Sequence, residues 1–190
     1  KLLDGGKGLV LLNHALVQWP GWSLWREISG TSFMLEEGEL YGEVVPGSGY
    51  RGGGGEPHRN GTHFLSVVDP SHPVTRNLGK GFTVTDEIYL KTSGFEKNPD
   101  IVPLLRSDYD FSPANFNPPP LAPKEQQQNW NHPRGSNLIA WAKRTRNSPV
   151  VASEAGDGPA AYANPAFRQF LADAIKWVAS DEAKAWARRR

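Results

Sequence analysis

The chain has 190 residues, with 21 Lys and Arg against 20 Asp and Glu, a formal net charge of +1 and no cysteine. One ordinary domain suits that length, and interspersed charges leave no basic stripe to follow a phosphate backbone, which argues against a nucleic-acid partner. Without cysteine there is no thiolate nucleophile, disulfide framework, iron–sulfur cluster or zinc finger, so any metal must sit on His, Asp, Glu or carbonyl oxygens. No apolar run approaches the ~20 residues of a membrane span, so the chain reads as soluble, with no membrane partner. The first residues lack the order of a signal peptide, and the missing initial methionine suggests sequence upstream. A cysteine-free chain suits cytoplasm and periplasm alike and leaves the compartment open.

Gly8 to Asn13 is a short apolar run before a Pro-Gly turn at Pro20-Gly21, which predicts a central parallel strand buried on both faces. Trp22, Trp25 and Ile28 then fall at helical steps, and Gly30 is a stop signal. Glycine-rich sequence from Gly38 to Gly61 predicts a long loop. Thr62 to Val68, Phe82 to Thr92 and Ile101 to Arg106 read as strands bounded by Asp-Pro, Gly and Asn-Pro breakers. Six of the 16 prolines lie between Ser107 and Asn137, so that stretch holds no long regular element and is expected to wrap the surface. Leu138 to Lys143 and Pro149 to Glu154 predict a hairpin with a loop longer than two residues, Pro149 opening an edge strand. Asn164-Pro165 caps a helix whose Phe167, Phe170, Leu171, Ala174, Ile175 and Val178 repeat at helical spacing, and Ser180-Asp-Glu starts another.

In an open α/β sheet, ligands bind beyond the carboxyl ends of strands, which makes His14 the first candidate catalytic residue, the bland alternative being a histidine packed below Trp19. Asp86-Glu87 is an acidic pair inside the otherwise apolar stretch predicted as a strand from Phe82, costly to bury unless paired or ligating. Adjacent side chains of a strand face opposite ways, so Glu87 is taken as a catalytic candidate and Asp86 as a binding one. Asp157, in the Gly156-Asp-Gly-Pro159 loop between a strand and a helix, is the third catalytic candidate, although a plain glycine turn would read the same. His58 and His63 lack helical metal-motif spacing, but a site drawing His14, His63 or His58, and Glu87 would suit zinc or a similar divalent ion. His72-Pro73 and His132-Pro133 read as turn formers. Trp19, Tyr89, His63 and Asp86 are the substrate-binding candidates. Gly52 to Gly55 has neither the Lys-Ser/Thr nor the strand-to-helix context of a phosphate loop, and no G-x-S-x-G elbow is present.

Four blocks carry a family likeness: Gly6-Lys-Gly-Leu-Val-Leu-Leu-Asn-His-Ala15; Asp69-Pro-Ser-His-Pro-Val-Thr-Arg76; Phe82-Thr-Val-Thr-Asp-Glu-Ile-Tyr89; and Gly156-Asp-Gly-Pro-Ala-Ala-Tyr-Ala-Asn-Pro165 with Ala174-Ile-Lys-Trp-Val-Ala179. Together they resemble the trehalose-utilisation (ThuA-like) family. The resemblance implies an α/β fold, a flavodoxin-like, class I glutamine amidotransferase-like three-layer sandwich lacking its N-terminal strand–helix units. Residues 1–190 would then be one ThuA-like domain, the C-terminal portion of a longer one. The His14 loop would stand where amidotransferases carry their cysteine, and Gly156-Asp157 departs from the Gly-His of many relatives. The likeness implies a small-molecule sugar as partner, trehalose or a related glycoside, beside dehydrogenases that oxidise a sugar hydroxyl to a ketone. A keto-sugar isomerase or glycoside-cleaving enzyme is the leading expectation, with a divalent metal as the one cofactor considered and a homo-oligomer compatible. The alternatives are a non-catalytic carbohydrate-binding or regulatory module on the same scaffold and a metal-dependent hydrolase.

Overall fold

A computed structural model describes residues 1–190 apart from 20, 32–36, 41, 46, 47, 49, 52–60, 90–92, 118–123, 130, 132 and 190. In chain order the strands are β1 (Leu9–Leu12), β2 (Gly38–Leu40), β3 (Glu43–Val45), β4 (Tyr50–Arg51), β5 (Gly61–Val67), β6 (Gly81–Asp86), β7 (Ile101–Ser107), β8 (Phe116–Asn117), β9 (Leu138–Thr145) and β10 (Ser148–Ser153). The helices are α1 (Ser23–Ser29), α2 (Lys124–Gln128), α3 (Pro159–Ala163), α4 (Pro165–Ala179) and α5 (Asp181–Arg188), with a 3-10 turn over Asn13–Leu16. Six strands form one sheet in the order β1-β10-β9-β7-β5-β6, parallel between β1 and β10 and antiparallel elsewhere.

The chain is α/β, with helices on both faces of a mixed sheet. Side chains of β10 alternate between the two sides: Val151 belongs to a cluster with Leu65, Val84, Leu105 and the α4 residues Phe167, Phe170 and Trp177. Val150 and Ala152 join Leu11, Leu16, Ile28, Phe95 and Trp141 on the other side. Every residue of β10 is buried, which is why Pro149 to Ala152 reads as an unbroken apolar run. Helix α4 packs onto bare backbone beside β1, since a Cβ added at Gly8 would lie 2.2 Å from the Val178 carbonyl oxygen. Its first turn is capped by Asn164, whose Oδ1 accepts from the N–H groups of Ala166 (2.9 Å) and Phe167 (3.3 Å).

Five expectations are corrected. β1 is parallel as read but, among the described residues, stands at an end of the sheet, with β10 as its sheet neighbour. The β9–β10 hairpin turns through two residues, Arg146 and Asn147; Arg146 takes a left-handed backbone at φ 55, which a sequence without Gly in the turn conceals. Pro149 lies in an internal strand, tolerated because β1 begins pairing only at Leu9↔Val150 and does not need the missing N–H. The predicted strand from Phe82 ends at Asp86, before Ile88 and Tyr89 turn into the core. Within the Gly38 to Gly61 stretch, β2 and β3 pair in a short hairpin and β4 pairs with β8; Gly52 to Gly55 and His58 lie outside the described residues. Among the described residues, no helix is long and apolar enough to cross a membrane.

Candidate functional site

β1 and β10 run parallel, and the antiparallel steps from β10 through β9, β7 and β5 bring β6 back to the same direction. The residues following β1, β6 and β10 therefore emerge at one edge, the carboxyl edge of the sheet. A flat sheet would hold β6 roughly 19 Å from β10. The sheet instead curls until Asp86 at the end of β6 reaches the loop after β10: its carboxylate accepts from the N–H groups of Gly156 (2.5 Å), Gly158 (3.2 Å) and Asp157 (3.4 Å).

That contact sets the geometry. Gly156 sits at φ 121, where an L side chain would be strained, and a Cβ there would meet Leu12 at 3.3 Å. Asp86 is almost fully buried, and burial pushes its carboxyl above the usual carboxylate range while the backbone N–H groups around it pull the other way. Asn13, just after β1, is buried in the left-handed region at φ 38; its Nδ2 donates to the Glu154 carbonyl at 2.7 Å and its Oδ1 accepts from the Tyr89 hydroxyl at 3.0 Å. Glu154, fully buried at the end of β10, accepts the Tyr89 N–H at 3.1 Å. These contacts turn His14 outward, its side chain 63% exposed, and its Nδ1 lies 3.2 Å from Asp157 Oδ1.

His14, Glu87 and Asp157 each offer one ligand atom, and those atoms lie within 4.8 Å of one another. One imidazole nitrogen and two carboxylate oxygens, two of the three residues being exposed, form a donor set that fits a borderline divalent ion such as zinc. The same three groups can also move a proton between an imidazole and a carboxylate without a metal.

Residues 1–178 match the family model ThuA, described as trehalose utilisation. The chain belongs to the ThuA family. This ThuA chain also resembles the solved structure of a ThuA-like protein from Bacteroides uniformis ATCC 8492, with TM-score 0.61 and 22% identity over 95% of this chain and 61% of that one. A ThuA-like protein from Parabacteroides merdae ATCC 43184 gives TM-score 0.59 and 16% identity over 94% of this chain and 62% of that one. The ThuA chain thus spans about three-fifths of the length of both, and at these identities the likeness speaks for the fold. No curated protein matches it.

Of the residues singled out in the ThuA sequence, His14, Glu87 and Asp157 come together, and Asp86 lies directly behind them as the holder of the Asp157 loop. Tyr89 is buried with its ring edge-on to His14 at 6.3 Å and its hydroxyl bonded to Asn13. His63 is elsewhere: it is buried in β5 with its ring edge-on to Tyr109 at 5.8 Å, and Asp157 takes its place in the three-residue cluster. His58 and His132 lie outside the described residues. His72 shapes its turn, its Nδ1 accepting the Val74 N–H at 3.2 Å. Trp19 is half-exposed among Trp22 and Trp25. Sequence reasoning missed Glu154 and the side-chain work of Asn13. Glu154 carried the signal that singled out Asp86, an acid within an otherwise apolar predicted strand.

Proposed function

We propose that this ThuA-family protein acts on a sugar that already carries a ketone, isomerising it or cleaving its glycosidic bond through an enolate. The observation that supports this reading is the imidazole of His14 within 3.2 Å of Asp157, with Glu87 completing a cluster of ligand atoms inside 4.8 Å, at an open carboxyl edge. A C–H bond next to a ketone is acidified, and breaking it needs a base at the carbon and a hydrogen-bond donor at the oxygen that becomes negative. Glu87 or Asp157 takes the proton, the C–H electron pair passes into the enolate, and His14 donates to the enolate oxygen.

Two outcomes conserve atoms and charge. The base returning its proton to the former carbonyl carbon, with the neighbouring hydroxyl's proton passing to the enolate oxygen, moves the ketone along the ring. Alternatively, the enolate pair re-forms the ketone as a double bond develops and the glycosidic oxygen leaves the next carbon, taking a proton as it goes. A divalent cation held by His14, Glu87 and Asp157 would supply Lewis acidity at the enolate oxygen. Asp86, Asn13 and Glu154 hold the three groups in register without touching the reacting atoms.

The test is proton NMR of 3-keto-trehalose in D2O with the protein, with and without added zinc. Expected are loss of the proton beside the ketone and new sugar resonances. Glu87→Gln or Asp157→Asn, whichever removes the base, should slow the exchange by about a hundredfold or more. Undiminished exchange in both variants would sink the base assignment, and unchanged but line-broadened substrate would favour the sugar-binding module.

A further inference from the structure

Three tryptophans gather beside the His14 turn, and two are held out of the core. Trp19 is 55% exposed and Trp22 is 45% exposed. Their rings are 5.8 Å apart at 85°. Trp25 anchors the group: it stacks on Trp22 with centroids 6.1 Å apart and rings 15° from parallel, and meets Trp19 edge-on at 4.8 Å. Its indole N–H donates to the carbonyl of Ala15, the residue after His14, at 2.8 Å. The aromatic group is therefore tied to the backbone that presents the candidate catalytic imidazole.

The hydrophobic effect favours burying an indole, and Trp25 meets that demand at the base of the group. Keeping two more indoles half in water needs another reason, and the backbone adds to it: Trp19 sits at φ 46, a left-handed conformation that a bulky residue rarely takes and that concentrates at functional sites. A pyranose ring has an apolar C–H face and a rim of hydroxyls. Half-exposed indoles offer matching apolar faces, and the turn to which Trp25 is bonded carries the His14 imidazole as a partner for the rim. A phosphate-bearing ligand fits badly, because the imidazole of that turn stands with the carboxylates of Glu87 and Asp157.

We infer that Trp19 and Trp22 form an aromatic subsite for a sugar ring of a glycoside, beside the His14, Glu87 and Asp157 cluster. This deepens the proposed function in that it takes the sugar class from it, while the stacking itself requires no turnover. For a disaccharide, one ring would lie at the cluster and the other on the tryptophans.

Unoxidised trehalose and methyl α-D-glucopyranoside, neither able to undergo the enolate step, are titrated against the full chain, reading tryptophan fluorescence and saturation-transfer NMR. The expected result is a saturable response to trehalose, weaker for the monosaccharide. Trp19→Ala and Trp22→Ala should each weaken it about fivefold to tenfold, and Trp22→Phe, which keeps an aromatic face, should retain most of it and show that the fold is intact. A trehalose response indifferent to all three variants overturns the subsite. So does a wild-type chain that ignores both sugars, or one that self-associates in light scattering through these tryptophans without a sugar response. Tryptophan-dependent trehalose binding by a chain that leaves 3-keto-trehalose unchanged keeps the subsite and removes the enolate chemistry. Turnover with a KM unaltered in the tryptophan variants keeps the chemistry and removes the subsite.

Discussion

Asn13 shows how much a single residue can fix. Its backbone is in the left-handed region, where Asn is among the better tolerated side chains, and its amide joins the end of β10 to Tyr89. Asn13→Gly relieves the backbone but loses both hydrogen bonds, whereas Asn13→Ala loses both and keeps the strain. The Ala variant should therefore be the less stable of the two, by about 1 kcal/mol in urea unfolding, and both should fall below the wild type by roughly 1–3 kcal/mol for the buried partners left unmet. At this scale the sequence showed an Asn-His pair at a strand end and two acids inside another predicted strand. It could not show that Asp86 faces inward to three backbone N–H groups while Glu87 joins His14, because alternation along a strand says that neighbours diverge, not which of them meets solvent.

Elements were legible where one local rule dominates. The Gly30 stop of α1, at φ 88, and the Asn164 and Ser180 caps of α4 and α5 sit where their residue types predict, because capping is settled by atoms two or three residues away. The Asp69 to Arg76 turn is another such case and carries a pH prediction. Desolvation holds His72 below the ordinary histidine value of 6.5, against the nearby negative charges of Asp69 and Glu182, and its Nδ1 accepts the Val74 N–H in the neutral form. A lowered folded-state pKa means that the unfolded chain takes up the proton first. The stability tied to neutral His72 is thus full above 6.5 and is lost as pH falls through the folded value. His72→Asn keeps a side-chain acceptor for the turn without titrating in this range. Urea midpoints measured from about pH 7.5 down to about pH 5 should fall less steeply for that variant than for the wild type. Where an element depends on its neighbours, the sequence was less informative: the β9–β10 turn is two residues long because Arg146 adopts φ 55 to close a hairpin that packing on both faces demands.

For the whole molecule, the decisive feature is the curl of the sheet, which joins strand ends that are four steps apart in the sheet order. His14, Glu87 and Asp157 come from three distant segments, so an ion bound by all three is bound by the folded chain and not by the unfolded one. Zinc should therefore raise the thermal midpoint, with a stabilisation of about 2.7 kcal/mol at a hundredfold excess over Kd. His14→Ala and Asp157→Asn should abolish most of the shift, and a chelator should reverse it; an equal shift in those variants would place the ion elsewhere. The α/β class, the lack of cysteine in these residues, the major strands and the capped helices were legible in the chain alone, since composition and short-range periodicity are local properties. That β1 stands at an end of the sheet formed by the described residues, that His63 lies in the core and that Asp157 meets His14 came from the fold alone. Those relations depend on strand order and curvature, which arise from packing two apolar clusters against opposite faces of one sheet and leave no periodic trace in the sequence.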